Sequence, residues 1–389
     1  MFDIAWGADP RPLGGAQPLF TELRLILVFA LVRFWAIART CRRMGMTSLA
    51  VGALLTFLLG AAASVIKSGA YPSPIGYWEQ ICGNCLLFVL ILATIDSVRQ
   101  FQFMAKGLVF AGGIVSLVAL YPVAGLGTPA SVYFTMVNRL TFGTLNPNEY
   151  AYRLLVLVVL SAYLLVSSGK FTRPVYVALT GLFLFSIVLT YSRGAMLGAG
   201  TALSLAALLF VRGKRGFLSV ALLLFVAALA APYAAMRTRL LTLEHLAADD
   251  SALYRANANA LAWETIRSHP LLGVGGNEVN TGLLPGLGVH NGYLLLLCDG
   301  GLLEFLPLGL LLAMALYHLW RRPRAPAEKG YALLCGAMAI LLTVWALILN
   351  ATVVTYPFWI SLGLAWAVIV MARQPAAREG MAAGAFERA

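Results

Sequence analysis

Arg193 interrupts a stretch that carries almost no charge. It follows LTGLFLFSIVLTYS and precedes GAMLGAGTALSLAALLF. A guanidinium at such a junction is costly unless it reaches water, a partner or an anionic ligand. It reads either as an interface anchor that snorkels or as a fixed cation for phosphate, because arginine presents a planar fork that cannot lose its proton. Gly194 permits close backbone approach, and the start of the following helix would offer N–H groups to an anion, which favours the second reading. The other chemically competent side chains gather in one polar interruption, residues 236–290, which holds three of the four histidines (His245, His269, His290) and Arg237, Arg239, Arg255 and Arg267. His290 stands where that interruption ends, beside Asn291, in VHNGYLLLLCDGGLLE. A neutral imidazole there can take a proton from a hydroxyl near neutral pH. His245 lies in a charged stretch and has less support, and His269 directly precedes Pro270 and reads as a capping or packing residue.

Two carboxylates, Asp299 and Glu304, fall inside the apolar run that His290 opens. Such groups face a bundle interior and pair there, so Asp299 is expected to be structural or to orient an arginine. Glu149 and Arg153 are spaced to share one helix face. Magnesium sites take carboxylates together with substrate phosphates, and no D-x-D occurs anywhere in the chain, so neither a metal nor a cofactor is expected. Cys82 and Cys85 form a C-x-x-C within an apolar run without a second pair, which reads as packing rather than zinc or redox chemistry.

The elements that must position these residues are membrane helices. Hydrophobic residues make up 60% of 389 and charged residues only 11%, which excludes an ordinary water-soluble globule. With roughly 20 apolar residues needed per span, the chain divides into about eleven, at 18–38, 46–66, 77–97, 104–124, 148–167, 174–191, 194–211, 216–235, 291–318, 330–349 and 356–372. The expected fold is all-α: one integral membrane domain over 1–389, with a large loop at 236–290 containing short helices. Within the loop, 251–268 reads as a helix lying over the bundle on a stripe of Leu253, Ala260, Leu261 and Ile266, ended by Pro270.

The net charge of +12 belongs to membrane topology and not to nucleic acid, because short cytoplasmic loops accumulate lysine and arginine. Arg39, Arg42 and Arg43, then Arg99 and Lys106, Lys170 and Arg173, the 212–215 group, the 321–329 group and the C-terminal arginines fall on alternate connections. They comprise more than half of the 28 basic residues. Placing them inside puts the C-terminus in the cytoplasm, the N-terminus outside, and the 236–290 loop, Arg139 and Arg193 on the outer face. No Walker A or dinucleotide fingerprint appears, and the cytoplasmic connections are too short for a nucleotide-binding domain.

With LNPNEYA at 145–151, YSRGA at 191–195, Arg255 followed eight residues on by Trp263, HPLLGVG at 269–275, and HN-x-YL with a downstream acidic-glycine pair at 290–300, the chain resembles the bacterial O-antigen ligase and polymerase superfamily. The motifs occur in the family's order over about 139–305. The resemblance implies a metal-independent, inverting glycosyltransferase at the periplasmic face of the bacterial inner membrane. The donor would be a glycan on undecaprenyl diphosphate, and the acceptor lipid A-core or a second lipid-linked glycan. The family's essential histidine corresponds to His290, and its diphosphate-binding arginines to Arg193 and Arg255, with Arg139, Asn148, Asn291 and Asp299 as supporting candidates. Asp299 stands where the family usually has Glu. A polysaccharide polymerase shares these features. A lipid-linked oligosaccharide transporter would instead want charge along a midplane path, and a passive envelope scaffold would not need Arg193 together with His290.

Overall fold

The computed structural model describes residues 47–68, 72–121, 140–142, 146–210, 250–275, 289, 291–321, 329–347 and 356–372. All regular structure among them is helical. Ten helices follow in order: α1 Thr47–Ser68, α2 Pro72–Thr94, α3 Val98–Leu120, α4 Pro147–Ser167, α5 Arg173–Leu189, α6 Arg193–Phe210, α7 Asp250–Ser268, α8 Gly292–Trp320, α9 Lys329–Leu347 and α10 Tyr356–Ala372. Nine coincide with expected spans, and α7 is the helix expected in the loop. The expected spans at 18–38 and 216–235 lie outside the described residues.

One boundary shifts for a physical reason. The hydropathy of α3 rises near residue 104, yet its helix begins at Val98, because Ser97 caps it by accepting the Gln100 N–H. Arg99 and Lys106 therefore stand on the helix itself rather than on a connection. Their long stems lie along it while the charged heads reach outward.

The helices turn apolar residues outward. Phe103 on α3 is 81% exposed, with Phe110, Ile114 and Leu117 on the same helix, and Leu55, Leu59 and Ile66 do likewise on α1. A water-exposed surface does not carry contiguous apolar patches of that extent. Hydrocarbon accepts them, because an α-helix satisfies its own backbone. By length and composition α3, α4, α8 and α9 can each cross a membrane, and the apolar parts of α1, α2, α5, α6 and α10 are shorter. The chain is a helical, multi-pass membrane protein.

Its centre is built on α10 and α9. Trp345, Trp359 and Trp366 are fully buried, and the indole N–H of Trp345 donates to Ser361 Oγ at 3.0 Å. Aromatic rings step across the bundle from Phe57 of α1 to Trp359 at 5.4 Å, Phe358 at 6.0 Å, Trp345 at 5.8 Å and Tyr152 of α4 at 6.1 Å. Tilted and edge-on ring pairs of this kind add roughly 0.5–1.5 kcal/mol each beyond burial.

The contact of α1 with α8 is close because of one glycine and one proline. Pro307 has no N–H to give the Leu303 carbonyl one turn earlier. Gly60 of α1 comes against that carbonyl, where an added Cβ would stand 2.9 Å from the oxygen and 3.0 Å from the carbon. Close backbone approach at small residues is how helices associate in lipid. Gly60→Val is therefore expected to force α1 off α8 and to destabilise by about 1–3 kcal/mol, the range for overpacking. Gly52, which an added Cβ would leave in open space, should tolerate alanine. Thermal aggregation midpoints of the two variants in detergent test this pair.

Candidate functional site: a broken helix pinned by the polar loop

α8 begins on a cap. Asn291 Oδ1 accepts the N–H of Tyr293 at 2.9 Å and of Leu294 at 3.3 Å, which satisfies two donors that a helix start leaves over. Asn291 thus caps the entry to α8. The helix then breaks at Gly301, with φ 64° and ψ −159°. The break bends the two halves toward each other. The Tyr293 and Phe305 rings meet at 6.1 Å, whereas positions twelve apart on a straight helix lie about 18 Å apart along the axis.

Such a break leaves backbone groups without helical partners, and the segment 269–275 supplies them. The Val274 and Gly275 N–H groups donate to the Cys298 and Asp299 carbonyls at 2.8 and 3.0 Å. In return the Leu302 and Leu303 N–H groups donate to the Pro270 and Leu271 carbonyls at 2.9 and 3.1 Å. Non-helical backbone is tolerated at membrane depth only where protein buries and satisfies it. Gly273 and Gly301 both need left-handed backbone, at φ 62° and 64°. A Cβ on Gly273 would come 2.4 Å from the Asp299 and Cys298 carbonyl oxygens, and one on Gly301 would come 2.4 Å from the Leu271 carbonyl carbon. Gly300 is needed as well, because Glu304 folds back over it. The HPLLGVG and DGG runs are therefore two halves of one structure.

Asp299 is 1% exposed and Glu304 fully buried, so both carboxylates face the interior as expected for charges within a span. α7 continues into the pinned segment: it ends at Ser268, just before Pro270. It docks on the first half of α8 through Ala262 and Ile266, with Ala258 buried four residues earlier. Ala262 and Ile266 cluster with Val289, Leu294, Leu295 and Cys298. This corrects the expected stripe at two positions: Ala260 and Leu261 are exposed, while Ile266 packs as expected. Small residues face α8 because the backbones come close, the Cys298 thiol donating to the Ala262 carbonyl at 3.4 Å. Leu253 and Arg255 belong to α7, but their side chains lie outside those described. Trp263 is half-exposed, and Arg267 is exposed in the last turn. His269 is exposed, its ring nitrogen 3.0 Å from Ser268 Oγ.

Arg193 is the first residue of α6 and half-buried. The turn before it holds Tyr191 at φ 51°, a left-handed conformation that costs an ordinary residue roughly 1–2 kcal/mol. The turn is built from local bonds. Thr190 Oγ1 donates to Ile187 O and accepts from Ser192 N–H, while Ser192 O accepts from Met196 N–H at 3.0 Å. Leu140 N–H donates to Leu189 O at 2.9 Å, and Phe142 stacks on Tyr150 of α4. Asn148 stands in the first turn of α4, its N–H held by the capping side chain of Asn146 at 2.9 Å. Tyr152 on α4, the Tyr293 hydroxyl bonded to Ala346 O at 2.6 Å, and Trp345 then join the starts of α4 and α8 to the end of α9. The structure thus brings Asn148, Arg193, Asn291 and Asp299 to one end of the bundle. Arg139 and His290 lie outside the described residues.

Fold and site together define a polytopic helical membrane protein whose 269–275 segment is fastened to a broken helix, with an arginine at the start of α6. Residues 176–308 match the family described as O-antigen ligase. The match runs over about a third of the chain, from Tyr176 in α5 to Leu308 in α8. It takes in Arg193, Arg255, His290 and Asp299 and supports placement in the O-antigen ligase superfamily. Members of that family are ligases and polymerases acting on lipid-linked glycans. A comparison with curated proteins returns no match.

Two residues that touch this site escape a reading of the sequence. Ser64 Oγ of α1 donates to the Asp299 carbonyl at 2.7 Å, and Lys67 Nζ donates to the Gly273 carbonyl. Lys67 carried the one available signal, a lone charge closing an apolar run. Gly301→Ala is expected to cost more than about 2 kcal/mol, combining left-handed strain with backbone overlap. Its signature would be faster proteolysis in the 236–290 loop at a temperature where the wild-type loop resists.

Proposed function

We propose that the protein is an inverting glycosyltransferase of the O-antigen ligase type. It moves a glycan from undecaprenyl diphosphate to an acceptor such as lipid A-core, at the periplasmic face of the inner membrane. The observation that supports this most is the gathering of Arg193, on its strained helix-start turn, and the capped α8 entry next to His290 at one end of the bundle, within the segment matching the family.

In this reading the acceptor hydroxyl oxygen attacks the anomeric carbon while its proton passes to His290. The bond from that carbon to the diphosphate oxygen breaks, and undecaprenyl diphosphate departs with the electron pair. Attack from the face opposite the leaving group inverts the configuration. Arg193 and Arg255 stabilise the charge growing on the diphosphate, and fixed cations in a water-poor site do this effectively. The apolar outer surface of the helices suits a polyprenyl tail, and α7, packed on the first half of α8, would cover the sugars.

The test combines purified protein and undecaprenyl-diphosphate-linked glycan with either rough lipopolysaccharide or a second lipid-linked repeat. Mass gain on lipopolysaccharide identifies a ligase; gain on the lipid-linked repeat identifies the polymerase; no product with either sinks the transfer reading and favours a transporter. His290→Ala is expected to insert normally and lose transfer. Arg193→Ala should lower kcat roughly a hundred- to a thousand-fold, the effect of removing one charge-stabilising donor. Near-normal transfer by His290→Ala would remove that residue from the mechanism.

A further inference from the structure

The pinned segment is held from two sides. Its backbone pairs with α8, while two side chains of α1 reach the junction: Lys67 bonds the segment itself at the Gly273 carbonyl, and Ser64 bonds the α8 carbonyl of Asp299 that the segment's Gly275 N–H also uses. A buried serine in a helix ordinarily returns its hydroxyl to a carbonyl of its own helix, and Thr56 does so toward Gly52 O at 2.8 Å. Ser64, fully buried, instead crosses to the Asp299 carbonyl, which also accepts the Gly275 N–H. A lysine closing a membrane helix ordinarily extends to water, whereas Lys67 donates to the Gly273 carbonyl. Three residues apart, the two share one face of α1, Ser64 ending on the α8 side of the junction and Lys67 on the segment side.

α1 is itself rigidly placed. Phe57 packs on Trp359, and Gly60 sits against the Leu303 carbonyl. The segment it grips continues at one end into α7, which carries Arg255. At the other end the chain runs on through 276–288 to His290. α1 lies outside the residues that match the family.

We propose that Ser64 and Lys67 are positioning residues that clamp the junction of the 269–275 segment with α8 onto α1, setting the placement of α7, which carries Arg255. Their effect on turnover rests on the transfer reading; the clamp itself does not. The backbone hydrogen bonds to Cys298 and Asp299 keep the segment near α8 when the clamp is removed, so the variants loosen the site without unfolding the bundle.

Two measurements on the full-length protein in nanodiscs test this. Hydrogen exchange should quicken about tenfold or more in peptides covering 269–275 in Ser64→Ala and Lys67→Met, and remain unchanged in α9 and α10. Transfer should fall through kcat with the donor KM nearly constant, and Lys67→Arg should recover most of it. Thr56→Val serves as the control on the same helix. Lys67 is exposed, so its variant keeps the experiment readable should Ser64→Ala fail to fold. Unchanged exchange at 269–275 in both variants would overturn the clamp, and faster exchange with unaltered kcat would overturn its positioning role. Faster exchange in a wild-type background that transfers no glycan would uphold the clamp and remove only the transfer reading.

Discussion

The structure depends on how a helix can be interrupted where water is scarce. Gly301 takes α8 out of helical geometry, which releases carbonyls on one side of the break and N–H groups on the other. Each such group left unpaired in hydrocarbon costs several kcal/mol. The 269–275 segment meets both sets at once, with its own N–H groups on the carbonyls and its carbonyls on the N–H groups. The loop is therefore part of the membrane helix's hydrogen bonding and cannot drift from it without exposing the break.

That reciprocity explains the glycine usage. Gly273 and Gly301 face one another's backbone in left-handed conformations, and Gly300 makes room for the Glu304 side chain. Any side chain at the first two would have to displace main-chain carbonyls, which cannot yield as a flexible side chain would. The same crowding selects Ala262 on the docking face of α7, because a larger residue would hold it away from α8 and break the Cys298 contact.

Around this centre the bundle supplies stiffness. The ring series from Phe57 to Tyr152 and the buried tryptophans of α9 and α10 tie α1, α4, α9 and α10 into one body. The Arg193 turn and the α8 entry both stand on it. A transfer reaction that relies on fixed charges benefits from such a mounting, since preorganised groups need not reorient as charge develops.

Much of this was legible in the chain alone. Apolar runs of bilayer length located nine of the helices, because hydrophobic length is a local property. Pro270 ended α7, because a stop acts within a turn. The motif residues around Arg193, Arg255 and His290 pointed to lipid-linked glycan chemistry by their types and order. What the tertiary structure alone decided was pairing: that HPLLGVG closes the break at DGG, that α7 docks through Ala262 and Ile266, and that Ser64 and Lys67 reach the two sides of that junction from more than 200 residues away. Those contacts join backbone atoms distant in sequence, and a carbonyl freed by a broken helix leaves no mark on which residue will bond it.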